Sequence, residues 1–285
     1  MDVILNLADE YVFTPYIYPA DIDIFRQDHL VRQYLSLTLI MLTGAAYIYF
    51  SVAGLSYLFY FVLFKDKFNP KARSDHAARP AVGQMAREIK LSMWSMPVMA
   101  CLTAPIMILE VRGYSKLYDK AESWSELILS IVLFLIFTDT CIYWIHRLEH
   151  EIPLVYKYIH KPHHAWIVPT PFAALAFHPL DGWLQSLPYH IFVFIFPLQK
   201  FTYLALFIFV QLWTISIHDG IDQSPFDVIN GSAHHSIHHS QFLYNYGQFF
   251  TFWDRLGGTH KDPRRDPVRV SQRGLHKNSH IKTAG

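Results

Sequence analysis

The histidines of this chain fall into three short clusters that could bind metal. The first is His146-Arg-Leu-Glu-His150, the second runs from His160 to His164, and the third ends Ser-Ile-His-His239. Imidazole nitrogen is the commonest metal ligand among side chains. The chain has two cysteines, both within apolar runs, so neither a thiolate site nor a disulfide framework is expected. The clusters therefore predict a metal centre with nitrogen ligands.

The spacing within the clusters indicates how many ions they serve. His146 and His150 are four residues apart, so on a helix both project from one face. The second and third clusters share the pattern HxxHH, in which the ligand spacing is i, i+3, i+4. Together the clusters offer eight imidazoles, which are more than one ion can bind, so two metal ions are predicted. They are His146, His150, His160, His163, His164, His235, His238 and His239.

The ligand type only partly restricts which metal ion is bound. Zinc, copper, iron and nickel all accept imidazole. A structural zinc site would need four ligands, and a lone histidine pair is also common where a helix leaves the membrane. An iron pair that activates dioxygen beside a substrate dissolved in lipid would explain why the clusters are attached to apolar helices.

Neighbouring residues supply further candidates, since a ligating imidazole usually donates its other N–H to a carboxylate or carbonyl. His178 and His218 are additional histidines close to the clusters, and the alternative for each is a hydrogen-bonded framework role. The nearby carboxylates are Asp139, Glu149, Asp181, Asp219 and Asp222.

Composition indicates that these clusters sit on a membrane protein. Hydrophobic residues make up 52% of the 285 residues and charged residues 16%, against about 25% charged in soluble domains. A net charge of +1 gives no reason to expect a nucleic-acid partner. Residues 1–28 mix acidic residues with tyrosine and proline and lack a basic start, so no cleavable signal peptide is expected.

Hydropathy predicts an all-α, polytopic helical bundle in a single domain. Residues 1–36 form a lead-in, and apolar runs at 37–64, 91–109 and 127–145 are long enough to span a bilayer. Residues 189–217 are apolar but interrupted near Pro197, Gln199 and Lys200, which predicts a helical hairpin and brings the membrane segments to about four. Residues 146–259 form the histidine-rich catalytic region, which includes the hairpin and a cytosolic helical cap, and 260–285 form a basic cytosolic tail.

Charge distribution predicts which side the clusters face. Residues 65–90 carry seven lysines and arginines against three acidic residues, which marks a cytosolic loop by the positive-inside rule. The third span ends at the first cluster, and a hairpin returns the chain to the side it left. All three clusters, and the basic tail, are therefore expected on the cytosolic side.

The ordered motifs HRxxH, HKxHH and HxxHH resemble those of the fatty acid hydroxylase and sterol desaturase superfamily. The flanking sequence at 160–172, 176–190, 217–220 and 245–257 is similar to fungal C-5 sterol desaturases within it. This resemblance covers residues 127–259, whereas the N-terminal third matches in hydropathy alone.

The resemblance implies a non-haem di-iron enzyme of the endoplasmic reticulum. Its expected reaction introduces the C5–C6 double bond into a delta-7-sterol during ergosterol-type biosynthesis, with dioxygen as co-substrate. Reduced cytochrome b5, supplied from NADH through its reductase, would donate electrons. Partners implied are the sterol, membrane lipid and other enzymes of sterol synthesis.

Carried over residue by residue, the resemblance implies that the eight clustered histidines are metal ligands. His218 is the next candidate ligand. His234, which lies beside the third cluster, ranks below His218. A flat sterol also needs an apolar slot. The aromatic residues expected to line that slot are Trp166, Phe172, Phe177, Trp183, Phe249, Phe252 and Trp253.

Two alternatives remain open at the level of sequence. A sibling enzyme, either a C-4 methylsterol oxidase or a sphingolipid or fatty acid hydroxylase, would use the same clusters. A metal transporter would need ionisable ligands at mid-membrane depth, where the predicted spans offer only Asp139. The tail also lacks a dilysine retrieval signal at 281–285, which leaves the retention mechanism open.

Overall fold

The computed structural model describes residues 1–19, 21–64, 80–221 and 226–265, and these residues are mostly helical. The α-helices are α1 (Asp2–Ala8), α2 (Leu30–Tyr57), α3 (Gln84–Val111), α4 (Trp124–Glu151), α5 (Pro179–Ile195), α6 (Lys200–His218), α7 (Ser232–Gln241) and α8 (Phe252–Leu256). Shorter helical segments are Asp9–Ile17, Asp23–Phe25, Leu58–Leu63, Pro153–Val155, Tyr156–His160, His163–Ala165 and Pro171–Leu175. Two short parallel strands, β1 (Leu117–Tyr118) and β2 (Leu198–Gln199), pair Leu117 with Leu198.

Four helices of the described chain are long and apolar enough to cross a membrane, which confirms a multi-pass helical bundle. They are Leu30–Leu63, Gln84–Val111, Trp124–Glu151 and Lys200–His218. The first three cover the predicted spans, except for residue 64, and begin earlier because polar turns precede the apolar runs. The Ser123 hydroxyl, for example, accepts the N–H of Glu126 at the start of α4.

The predicted hairpin is present, but its first arm begins at Pro179 and not at residue 189. Pro188 lies inside α5, so the arm is a 17-residue helix. At the turn, the Leu198 N–H donates to the carbonyl of Lys116 in the α3–α4 connector. The hairpin therefore reaches as far as the connector at which α4 begins, and the chain then returns to the histidine end along α6.

The histidine end of the bundle also holds the end of α2 and the start of α3. The Tyr49 hydroxyl donates to the carbonyl of Phe172 at 2.8 Å, and the Gln84 side chain donates to the carbonyl of Val168 at 2.8 Å. Both acceptors lie in the segment that follows the second histidine cluster. The connection between α2 and α3 thus begins and ends at the histidine end. Most of its basic residues, and those of the tail beyond residue 265, lie outside the described residues.

A buried core joins α4 to the hairpin. Phe134 packs edge-on against Phe192, with ring centroids 5.2 Å apart. Asp139, the acidic side chain in the middle of α4, accepts the backbone N–H groups of Phe249 and Phe250 at 2.7 and 3.2 Å. This pairing satisfies a carboxylate that would otherwise be costly at membrane depth, and it fixes the segment after α7 against α4.

Candidate metal centre

Nine imidazoles converge at one end of the bundle and form two adjacent groups. The first group is His146, His150, His160, His164 and His238, and the second is His163, His218, His235 and His239. Within each group the facing nitrogens all lie within 4.8 Å of one another. The eight clustered histidines and His218 are thus brought together from four separate parts of the chain.

The sequence clusters do not map one to one onto the two groups. Adjacent residues on a helix point about 100° apart, so the HxxHH pattern divides its ligands. On α7, His235 and His239 are four residues apart and face the second group, while His238 faces the first. In the second cluster His163 separates from His160 and His164 in the same way. The two groups touch where the ring of His164, in the first group, lies 5.1 Å from the ring of His239, in the second.

Backbone carbonyls fix the rings of four of these histidines through Nδ1. His146 Nδ1 lies 3.0 Å from the Tyr246 carbonyl and His238 Nδ1 lies 2.9 Å from the Tyr244 carbonyl. In the other two pairs, His218 Nδ1 lies 2.7 Å from the Thr214 carbonyl and His163 Nδ1 lies 3.5 Å from the Ala176 carbonyl. A carbonyl accepts only, so each Nδ1 carries the proton and each Nε2 keeps a lone pair facing inward.

The carboxylates Glu149 and Asp181 support His160. The Nδ1 of His160 lies 3.0 Å from Asp181 Oδ2 and 3.7 Å from Glu149 Oε2. The Gln185 side chain donates to both carboxylates, at 2.6 Å to Asp181 and 3.0 Å to Glu149. All four side chains are buried or nearly so. This is the carboxylate–imidazole pairing that orients metal-ligating histidines.

The spacing of the inward nitrogens fits metal ligation. His164 Nε2 lies 2.9 Å from His160 Nε2 and 3.1 Å from His150 Nε2. In the second group the corresponding separations run from 2.9 to 3.4 Å. Metal–nitrogen bonds of about 2.1 Å place neighbouring ligand nitrogens about 3.0–3.4 Å apart. The buried Nε2 atoms of His146 and His238 have no protein partner among the described residues, as expected of atoms that bind an ion.

Burial keeps the imidazoles outside the membrane helices neutral. It lowers the pKa of His163 to about 3, with the nearby His218 as the second cause. Burial likewise holds the pKa of His160, His235 and His238 well below the usual value, and neighbouring imidazoles lower it further. Because a metal binds the unprotonated ring, the site is ready to accept cations at neutral pH.

Several histidines and carboxylates predicted near the centre lie elsewhere. His178 caps α5, where its Nδ1 accepts the N–H of Leu180. His234 points away from both groups and its ring stacks on His260 at 5.7 Å. Asp219 accepts the N–H of Ile221. Asp139 lies two helical turns, about 10 Å, below His146 and binds backbone amides. Asp222 lies outside the described residues.

An apolar cavity of about 430 Å³ opens beside the metal groups. Its inner end is lined by His146, His163, His218 and His235. From there it extends between α2, α3, α5 and α6 to Met1 and Lys200 at the opposite end of the bundle. Ligand pockets are typically apolar with a few polar groups, and this one leads directly to the imidazoles.

Of the seven aromatic residues predicted to line a substrate slot, only Phe177 lines this cavity. The other six do not line it and pack elsewhere. Trp166 donates its indole N–H to the Ala176 carbonyl and Trp253 donates to Thr140. Phe172 packs on Tyr49, Phe249 packs in the core around α4, and Phe252 is exposed. Trp183 is half-buried and does not face the cavity.

Comparison with known proteins identifies relatives of this chain. The fatty acid hydroxylase family matches residues 131–259, which include all nine converging histidines. Human lathosterol oxidase is 50% identical over 275 residues, covering 92% of this chain and 86% of the human protein. The chain belongs to the fatty acid hydroxylase family.

Fungal members of the fatty acid hydroxylase family are equally similar. A Delta(7)-sterol 5(6)-desaturase of Aspergillus fumigatus is 47% identical over 271 residues, covering 90% of this chain and 74% of that protein. A Delta(7)-sterol 5(6)-desaturase of Gibberella zeae is 53% identical over 243 residues, covering 84% and 66% respectively. The likeness therefore extends beyond residues 127–259 into the N-terminal third. No solved structure matches the chain significantly.

Some supporting residues were missed from sequence. Gln185 lies four residues after Asp181 on α5, and that spacing alone could have linked the two. Tyr246 packs against the rings of His146, His150 and His238, at 5.1–5.5 Å between centroids. Its carbonyl also orients His146. No local pattern signals that role, because 100 residues separate the partners.

Proposed function

We propose that this chain is a delta-7-sterol 5(6)-desaturase with a di-iron centre held by the nine imidazoles. The observation that carries the proposal is the union of two imidazole groups with an apolar cavity that ends on them. Similarity to lathosterol oxidase and to fungal Delta(7)-sterol 5(6)-desaturases supports the choice of sterol and of bond.

The assigned ligands are the five histidines of the first group and the four of the second. Iron is favoured over other imidazole-binding metals because the proposed reaction is an oxidation by dioxygen that removes hydrogen from saturated ring carbons. When bound, the two ions would supply the dioxygen activation that this oxidation needs. The balance is one hydrogen lost from C5 and one from C6, with dioxygen reduced to two waters. The C–H bonds supply two electrons and an external donor supplies two.

The protein's own share is orientation and exclusion of water. The Tyr246, Tyr244 and Thr214 carbonyls and the Asp181 carboxylate hold protons on Nδ1, which leaves Nε2 for the ions. The apolar walls keep bulk water from the reacting carbons and fix their position relative to the centre. Phe177, which lines the cavity and lies 5.9 Å from the His163 ring, closes one side.

The remaining electrons would come from cytochrome b5, itself reduced through NADH and its reductase. That partnership needs the centre on the cytosolic face of the endoplasmic reticulum. The position of the α2 end and the α3 start at the histidine end supports this side, because the basic residues of 65–90 belong to the connection between them.

Sterol profiling tests the proposal. In cells that lack their own C-5 desaturase, the wild-type chain should restore the 5,7-diene, while His238→Ala should yield none. An alcohol product would instead favour a hydroxylase or C-4 methylsterol oxidase. Metal flux into liposomes without sterol oxidation would favour a transporter. Equal restoration by both variants would reject the ligand assignment.

A further inference from the structure

The apolar cavity is open on one side of the bundle. Four of the described residues that line it are also exposed at the protein surface, namely Val3, Gly44, Phe201 and Ile208. They lie on α1, α2 and α6, whereas the lining residues contributed by α3, α4 and α5 are all buried or half-buried. The cavity therefore reaches the surface through a slit that has α6 along one edge and α1 and α2 along the other.

The positions of the exposed residues give the depth of the slit in the membrane. Phe201 and Ile208 are seven residues apart, so they lie on one face of α6. Ile208 is near the middle of the span Lys200–His218, and Gly44 is near the middle of the span Leu30–Leu63. The slit is therefore open at mid-membrane depth, where the surface of a spanning helix faces hydrocarbon.

Contacts between elements close the cavity at its two ends. At the end opposite the histidines, the Lys200 amine bridges Asp2 of α1 at 2.7 Å and Asp119 of the α3–α4 connector at 2.8 Å. At the histidine end, Ile215 of α6 packs in a buried cluster with Tyr49 of α2. The imidazoles that line the inner end of the cavity are themselves buried. A molecule that reaches the metal groups through this cavity thus passes through the slit.

The walls beside the slit are apolar. On the α2 edge, Ile40, Met41 and Ile48 line the cavity, and Leu204 lines it on the α6 edge. An apolar molecule that is already dissolved in lipid can pass such walls without losing hydration. A polar or charged ligand would have to give up its water without gaining hydrogen bonds in return, which is unfavourable. The slit therefore suits a ligand that arrives from the bilayer.

We propose that the slit between α2 and α6 is the portal through which the sterol moves from the bilayer to the metal centre. This inference rests on the proposed function and adds the route of its substrate. A sterol is mostly apolar and resides in the membrane, so a side entrance at membrane depth spares it a passage through water. The diene product is as apolar as the substrate and leaves through the same portal.

Gly44 is the position at which the portal can be narrowed with least disturbance of the packing. A Cβ added there would meet no atom within 4 Å, and Gly44 is exposed at the edge of the slit. Gly54 on the same helix is the matched control. A Cβ there would also meet no atom within 4 Å, but Gly54 does not line the cavity. Gly44→Trp should therefore narrow the portal, and Gly54→Trp should not.

The test compares the rate of desaturation with sterol binding at equilibrium. Microsomes from cells that lack their own C-5 desaturase are supplied with limiting delta-7-sterol, and the 5,7-diene formed per chain is followed over time. We expect Gly44→Trp to slow diene formation by about fivefold, because each sterol must displace the indole from a stable rotamer. In purified protein without reductant, the sterol bound per chain after long equilibration should match the wild type, because a portal changes rates and not affinity.

A reversible block on one protein avoids differences in folding between variants. Gly44→Cys, in a chain whose Cys101 and Cys141 are alanine, is modified with benzyl methanethiosulfonate and then treated with a thiol reductant. Diene formation should be lost on modification and should recover on reduction. Gly54→Cys, modified to the same extent as judged by mass spectrometry, should keep its rate throughout.

An unchanged rate in both Gly44→Trp and the modified Gly44→Cys would overturn the portal. An equal loss at Gly54 would also overturn it, because the effect would then be a general one on α2. So would a loss of equilibrium binding in proportion to the rate, because Gly44 would then contact the bound sterol and not its path. A wild type that forms no diene rejects the proposed function itself. A wild type that forms diene while both Gly44 proteins keep the full rate rejects the portal alone.

Discussion

Asp181 is the side chain through which the protein most directly orients a ligand of the first group. It is fully buried, and its carboxylate holds His160 Nδ1 at 3.0 Å. Removal of such a partner typically weakens metal binding by about 10- to 100-fold. We therefore expect Asp181→Ala to lose metal at correspondingly lower chelator concentrations, measured as bound metal per chain after equilibration with a graded chelator.

Asp219→Ala is the control for that measurement. Asp219 is also buried and follows His218 directly, but within the described ranges its carboxylate accepts only the N–H of Ile221. It should retain metal as the wild type does. Equal metal loss in the two variants would show that general destabilisation, and not the contact with His160, is responsible.

At the residue scale, the sequence indicated the imidazoles and the nearby carboxylates Glu149 and Asp181, but it did not indicate the backbone carbonyls that orient other rings. Spacings such as HxxHH are local, so they can be recognised in the sequence whatever the tertiary structure is. The carbonyls that fix His146 and His238 belong to a loop whose course no pattern predicts. The seven-residue spacing keeps Asp139 on the face of His146 but also places it two turns deeper, where it accepts the backbone N–H groups of Phe249 and Phe250.

Packing at the start of α5 governs the wall of the cavity. A Cβ on Gly182 would lie 1.9 Å from the Phe177 ring, and that ring also faces the cavity and His163. Gly182→Ala should displace Phe177, destabilise the fold by about 1–3 kcal/mol and reduce sterol turnover. Thermal unfolding in detergent and the sterol profile measure the two effects.

Gly54→Ala on α2 serves as the comparison, because a Cβ there would meet no atom within 4 Å. It should leave the unfolding temperature unchanged or raise it, since alanine favours helix over glycine by about 1 kcal/mol. A Gly182→Ala protein as stable and active as Gly54→Ala would contradict the packing described for Phe177.

At the element scale, hydropathy found every membrane segment but not every boundary. The predicted first arm of the hairpin was too short because Pro188 was interpreted as a helix boundary. In the structure Pro188 lies within α5. Proline is tolerated in such helices when neighbouring groups satisfy the freed carbonyl. Of the aromatic residues predicted to line the slot, Trp166, Phe172 and Phe249 are buried in packed cores. The cavity walls instead include several methionine and aliphatic residues.

The whole molecule is arranged so that one end carries the metal groups and the other closes the bundle. Residues at the histidine end and at the α3–α4 connector should therefore lie on opposite sides of the membrane. Val82, just before α3, and Tyr114, just after it, are both exposed. Each can be replaced by cysteine in a chain in which Cys101 and Cys141 are alanine.

In sealed microsomes with the cytosolic face outward, we expect an impermeant maleimide to label Val82→Cys at once. Tyr114→Cys should react only after permeabilisation. Leu243→Cys, which is exposed next to the third histidine cluster, should behave as Val82→Cys does. If Val82→Cys and Leu243→Cys were labelled from different sides, the α2–α3 connection and the metal groups would lie on opposite sides of the membrane. That result would contradict the fold.

The most direct test of the central claim is metal content per folded chain, measured by elemental analysis on protein purified from iron-supplemented cells. The two imidazole groups predict two iron ions per chain in the wild type, and a clear loss in His238→Ala and in His235→Ala, which remove ligands of different groups. His234→Ala, which alters an imidazole beside the third cluster but outside both groups, should keep two. One ion or none in a folded wild type, or equal loss in all three variants, would contradict a centre built from these nine histidines.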